Sequence, residues 1–147
     1  MKFSRIIILV LSMTLFLNMQ CEGDDPAPFP QTNCVNLTLI DSFSYENATT
    51  SPYTITGVDI NEDCLIITIT ATGCDGSTWD MQLLDSDSVD ESNPPQRYVK
   101  FFLVNNEACL AEISKTTSFD LSTLQIEGEN EIIINIDQYS DPITYIY

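Results

Sequence analysis

Histidine is absent from the 147 residues, and basic residues are scarce. Five lysines and arginines stand against 22 aspartates and glutamates, a formal charge of −17. Without an imidazole there is no Ser-His-Asp or Cys-His constellation. Lys2 and Arg5 lie at the very start, so Arg97, Lys100 and Lys115 are the only cations of the remainder. Such a surface repels phosphate backbones and excludes nucleic-acid binding. It also repels anionic lipid headgroups and favours cationic proteins, cations or neutral glycans as partners, besides keeping the chain soluble. No Cys-x-x-Cys pair occurs, and that spacing together with the missing histidine argues against zinc. The apolar run from Ile6 to Leu17 covers about 12 residues, well short of the roughly 20 that span a bilayer. There are no internal repeats. Nothing here points to an enzyme, a cofactor or a metal centre, and a non-catalytic protein is expected.

What is present at the start is an address. The basic opening and the short apolar run read as the leader of an exported protein. The run ends at Leu17-Asn18-Met19-Gln20-Cys21, which resembles a bacterial lipobox although Met19 and Gln20 are not the usual small residues. On this reading residues 1–20 are a lipoprotein signal peptide, and Cys21 is the first mature residue and carries the acyl anchor. Cleavage after Gly23 to release a secreted protein is the alternative. Acidic residues Glu22, Asp24 and Asp25 follow, then Pro26, Pro28 and Pro30. Residues 21–32 therefore read as an extended tether. A bacterial envelope protein is expected, at the outer membrane or cell surface, touching the membrane through its acyl chains.

With Cys21 assigned to the anchor, Cys34, Cys64, Cys74 and Cys109 remain. An even number in an oxidising compartment implies two disulfides, with three connectivities open. Cys34 and Cys64 both open strands, and Cys74 sits in a Gly73-Cys74-Asp75-Gly76 turn with Cys109 opening a later strand. That placement favours Cys34–Cys64 and Cys74–Cys109.

Residues 33–147 carry period-two alternation punctuated by turns. Strands are expected at Val35–Ile40, Tyr53–Ile60, Cys64–Ala71, around Trp79–Leu83, at Arg97–Asn105, Cys109–Lys115 and Ile132–Ile136, with Thr144–Tyr147 closing an edge. Phe119–Leu124 breaks the pattern and reads as a turn or one helical turn. The strand Arg97–Asn105 has bulk on both faces and is expected to be central. Seven or eight short strands without a convincing helix predict an all-β domain, a two-sheet antiparallel sandwich of immunoglobulin-like class. A small barrel is the alternative.

The succession Cys64–Cys74, Trp79-Asp80-Met81-Gln82-Leu83, Pro94-Pro95-Gln96, Cys109-Leu110-Ala111-Glu112 and Phe119-Asp120-Leu121-Ser122 resembles the C-terminal domain of NigD-like bacterial lipoproteins. The resemblance spans about Cys64 to Ile136. It implies a β-sandwich and supports the Cys74–Cys109 pairing. Some members are linked by name to bacteriocin immunity. The histidine often found after the Gly-Cys turn is missing here, where Thr78 and Trp79 stand, and the chain is too short for the extra N-terminal domain of longer members.

Three further features are candidate sites. Asp85-Ser86-Asp87-Ser88-Val89-Asp90-Glu91 clusters oxygens that suit calcium, but it lacks the EF-hand register and glycine and reads as a solvated loop. Within it Ser88 fits a short bacterial O-glycosylation pattern. Asn36 and Asn47 begin N-glycan sequons that a bacterial leader makes irrelevant. Tyr139, Tyr145 and Tyr147 cluster at the C-terminus and are expected to furnish a binding surface, since tyrosine offers apolar area with a polar tip. The expected function is binding of an extracellular protein or peptide, in immunity or envelope protection. A carbohydrate-binding module and a structural envelope component are the alternatives. A contiguous apolar patch would mark a protein binder and a row of exposed aromatics a sugar binder.

Overall fold

The computed structural model describes residues 33–147. The leader, the lipidation candidate Cys21 and the tether lie outside the described residues. The described chain is all-β: β1 (Asn36–Ile40), a short helix α1 (Ser42–Asn47), β2 (Thr54–Asn61), β3 (Cys64–Gly73), β4 (Asp80–Asp90), β5 (Gln96–Val104), β6 (Ala111–Asp120), a 3₁₀ turn at Ser122–Leu124, β7 (Glu131–Ile136) and β8 (Ile143–Ile146).

The strands do not divide into two antiparallel sheets. They form one mixed sheet of eight in the order β2-β3-β6-β1-β4-β5-β7-β8. This corrects the immunoglobulin-like sandwich expected from the alternation. Three pairs are parallel: β1 with β4, β1 with β6, and β5 with β7. The reason for the difference is physical. Alternation reports that a segment is a strand with one buried face, and short turns report antiparallel neighbours. Neither reports a parallel partner reached by a long crossover. Strand β1 is the seam that joins β2-β3-β6 to β4-β5-β7-β8.

The sheet curls around one core into a nearly closed barrel. Leu65, Ile67 and Ile69 of β3 point inward, as do Val99, Phe101 and Leu103 of β5 and Ile132 and Ile134 of β7, all fully buried. Phe101 meets Phe119 of β6 edge-on, ring centroids 5.9 Å apart, and Tyr53 meets Phe101 at 5.1 Å. These contacts tie the two halves of the sheet across the interior. Backbone bonds do the same at the rims: Ser51 donates to the Leu103 carbonyl at 2.8 Å and Leu121 to that of Asp63 at 2.8 Å. Strand β5 lies between β4 and β7, as its two bulky faces predict.

Local chemistry explains the departures in detail. Helix α1 forms because Asp41 caps it, accepting from the Ser44 amide at 3.0 Å and the Ser44 hydroxyl at 2.7 Å. Its four polar residues and its length of six hid it from a hydrophobic count. Strand β6 runs on to Asp120 rather than ending at Lys115, because Thr117 and Phe119 continue its inward face. Strand β4 likewise runs through the acidic stretch to Asp90, with its pairing shifted between Asp85 and Val89.

Candidate functional site

Strand β1 carries its polarity the wrong way round. Thr38 is opposite Leu83 and faces the core, only 4% exposed. Its Oγ1 is buried and has no hydrogen-bond partner. Asn36 faces the same way, and its Nδ2 donates to Thr117 Oγ1 at 2.8 Å. Leu37 and Leu39 turn outward, at 47% and 43% exposure, and Val35 just before the strand is 77% exposed, while Ile40 lies on the side of Thr38. Phe43, on the first turn of α1, adds a side chain that is 75% exposed. The result is an apolar stripe on the outer face of an internal strand.

A one-residue slip would turn Leu37 and Leu39 inward and free Thr38. Three contacts oppose it. Cys34 is joined to Cys64 with Cα atoms 5.5 Å apart, the Val35 amide donates to Ser118 Oγ at 3.0 Å, and the Asp41 amide donates to the Asp85 carbonyl at 3.2 Å. The strand is thus held at both ends in a register that leaves one hydroxyl orphaned, at about 1–3 kcal/mol, and leaves its leucines half in solvent.

The second disulfide joins Cys74 to Cys109, Cα atoms 4.8 Å apart, so both bridges have the connectivity favoured from the sequence. Next to it lies a clasp that sequence reasoning missed. Glu107 Oε2 accepts from the amides of Cys74 (2.5 Å), Asp75 (3.2 Å) and Gly76 (3.1 Å), and Oε1 accepts from the Thr78 hydroxyl at 2.9 Å. Desolvation works to raise its pKa, but the amides of Cys74 and Gly76 and the Thr78 hydroxyl outweigh it and pull the carboxyl down to about 2. Gly76 has φ +67, the left-handed conformation that aims successive amides at one point.

The acidic run does not form a solvated loop. Asp85 is fully buried, and its Oδ1 accepts from Arg97 Nη1 at 2.8 Å and from the Asp87 amide at 2.8 Å. Burial raises the Asp85 pKa, opposed by the Asp87 amide and the Arg97 charge. Asp85 Oδ2 and Arg97 Nε have no partner. With Asp85 turned inward, the run does not converge on a point; among the described residues no group of three or more acidic or cysteine side chains is placed to hold a metal. Ser88 is exposed, on the irregular stretch of β4 rather than in a loop.

The C-terminal tyrosines do not make the expected surface. Tyr145 is fully buried, its hydroxyl donating to Asp63 and accepting from Gln125 Nε2 at 2.8 Å. Desolvation and then the Asp63 hydrogen bond raise its pKa. The Tyr147 hydroxyl accepts from the Ile126 amide at 2.9 Å, and Tyr139 packs against the core. Alternation explains the correction: Ile143 and Tyr145 take the inward face of β8, Tyr147 just after it packs against the core as well, and Ile146 takes the outward face at 69% exposure. Reading that pattern instead of the tyrosine cluster would have found it.

Toward the β2 edge of the sheet, an open cleft of about 410 Å³ is lined by Tyr53, Thr54 and Thr56, Thr70 and Thr72 of β3 and Glu112 of β6, with Pro52 and Ala71.

No family model and no curated protein matches the chain. Two crystal structures share its fold. One is of a protein described as toxin-related from Parabacteroides distasonis, at 16% identity and TM-score 0.53, with the match covering 76% of this chain and 59% of that one. The other is of a protein of unknown function, DUF1344, from Bacteroides vulgatus, at 12% identity and TM-score 0.50, covering 76% and 55%. The chain spans a little over half the length of either. At these identities the likeness is one of fold.

Proposed function

We propose that this protein is a non-catalytic binding module of the bacterial envelope, tethered through Cys21, that docks another protein on the outer face of β1. The observation that carries the reading is the inverted strand. An apolar stripe of Val35, Leu37, Leu39 and Phe43 is held outward while a threonine is held inward without a partner. A fold keeps such an arrangement at a cost in stability, and an exposed contiguous apolar patch is the mark of an interaction surface. The surroundings specify the partner's chemistry. Of the three cations of the domain, Arg97 is paired to Asp85 and Lys100 donates to the Tyr45 carbonyl. The complementary surface is therefore an apolar knob or strand rimmed by lysines and arginines. Two disulfides and the leader support a position outside the cytoplasm. The resemblance to NigD-like lipoproteins is consistent with a protective role there.

The test is affinity capture from the native envelope with the wild-type domain, with Leu37→Asp/Leu39→Asp and with the outward control Thr116→Asp. The same protein should be retained by wild type and control and lost with the double aspartate. Raising salt should weaken capture through the basic rim. Equal retention by the double aspartate variant would overturn the reading.

A further inference from the structure

The outer face grades from the apolar stripe on β1 to hydroxyls on β6, β3 and β2. Register places them in rows: Gly57, Thr68 and Thr116 in one, Thr54, Thr70 and Ser114 in the next, then Thr72 beside Glu112. Neighbouring strands lie about 4.8 Å apart and alternate residues about 6.7 Å, so the rows form a regular lattice of hydroxyls. The first row is closed on itself, with Thr68 Oγ1 and Thr116 Oγ1 2.8 Å apart. Thr54 and Thr70 of the second row and Thr72 and Glu112 of the third line the cleft. Of the lining hydroxyls, that of Thr56 donates to the Thr68 carbonyl at 3.3 Å, and those of Thr54, Thr70 and Thr72 stand beside the Glu112 carboxylate.

This lining has a definite chemistry. A threonine hydroxyl donates once and accepts twice, and a carboxylate only accepts. Such a set matches a ligand rich in hydroxyls of its own. No lining residue is cationic, so a phosphate, sulfate or uronate would face Glu112 without compensation. The apolar parts, Pro52, Ala71 and the ring of Tyr53, suit C–H faces. Tyr53 is pinned, its hydroxyl donating to the Phe101 carbonyl at 2.7 Å, so that edge is preformed. A volume of about 410 Å³ falls within the roughly 300–1,000 Å³ of small-molecule sites.

We infer that the cleft between the β2 edge and Glu112 binds a neutral oligosaccharide through its threonine lattice. The site is separate from the stripe: Glu112 pairs with Thr72 at one end of β6, and Phe119 pairs with Asn36 at the other. The inference therefore does not rest on the protein-docking reading.

Amide NMR spectra of the disulfide-intact domain test it. The probes are maltohexaose, cellohexaose and laminarihexaose, with trigalacturonate as the anionic control, each to about 10 mM, a concentration that detects affinities well beyond millimolar. At least one neutral hexasaccharide should shift the amides of Thr54, Thr70, Thr72 and Glu112, with little sensitivity to salt. Thr70→Val and Thr72→Val should each weaken binding about tenfold. Thr116→Val, whose hydroxyl is already engaged, should not, and Leu37→Asp/Leu39→Asp should bind sugar as wild type does. No shift at these amides with any neutral probe would overturn the inference. So would equal binding of trigalacturonate, or valine variants that bind unchanged.

Discussion

Replacing Thr38 by valine should make the domain more stable, the opposite of what removing a hydroxyl from a well-bonded site would do. The side chain is 4% exposed and Oγ1 has no partner. An unsatisfied buried polar atom costs about 1–3 kcal/mol, and valine keeps the shape while removing it. A gain of about 1 kcal/mol or more is expected. The companion change is Leu39→Thr. Leu39 is 43% exposed, so it keeps only about half of the 1.5–3 kcal/mol that full burial provides, and its loss should cost about 1.5 kcal/mol or less. Both follow by urea denaturation of the oxidised protein, read through the single tryptophan, Trp79, which is buried. With a slope of about 2 kcal/mol per molar urea, the Thr38→Val midpoint should rise by about 0.5 M. A Thr38→Val variant that loses stability while Leu39→Thr costs more than about 2 kcal/mol would refute the reasoning. That pair of results means the leucines point inward and the register is off by one residue.

Two further outcomes are expected. The Glu107 carboxyl is held at about 2 in the fold against an ordinary 4.5. Its contribution should be fully present above about pH 4.5 and lost as pH falls toward 2, so the Cys74 and Gly76 amide shifts should titrate near pH 2 and Glu107→Gln should abolish that titration. Arg97→Met should destabilise by about 3–5 kcal/mol, because it leaves the buried Asp85 without its countercharge, and the double variant Arg97→Met/Asp85→Leu should recover most of that in the same urea assay. A double variant as unstable as the single would show that the cost comes from lost packing of the Arg97 side chain and not from a stranded charge.

The parts legible in the sequence are those where burial and alternation agree. Leu65, Ile67 and Ile69, or Val99, Phe101 and Leu103, can only be inward faces, and their strands sit where expected. The parts that were not legible are set by contacts remote in the chain. Alternation in β1 is plain, but period two does not say which of its faces is wet, and the ordinary assumption would bury the leucines. Glu107 reaches amides some 30 residues upstream, and only its nearness to Cys109 and a Gly-x-x-Gly turn hints at the clasp. Asp85 looked solvated because five of its six neighbours in the run are polar or acidic; its partner Arg97 is supplied by the next strand.

The seam has a kinetic meaning. Strand β1 is completed first, yet its neighbours begin only at Asp80 and Ala111. The β2–β3 and β4–β5 hairpins can form from local contacts, but β1 must wait for both halves and then close two long loops at once. High contact order of this kind makes folding slow. During the wait, the stretch from Val35 to Phe43 is the segment most open to misassociation. The Cys34–Cys64 bridge acts as a latch on that last step, since it holds the beginning of β1 beside the start of β3 while β6 arrives. Folding yield should therefore follow how fast that bridge oxidises more closely than how well the core packs.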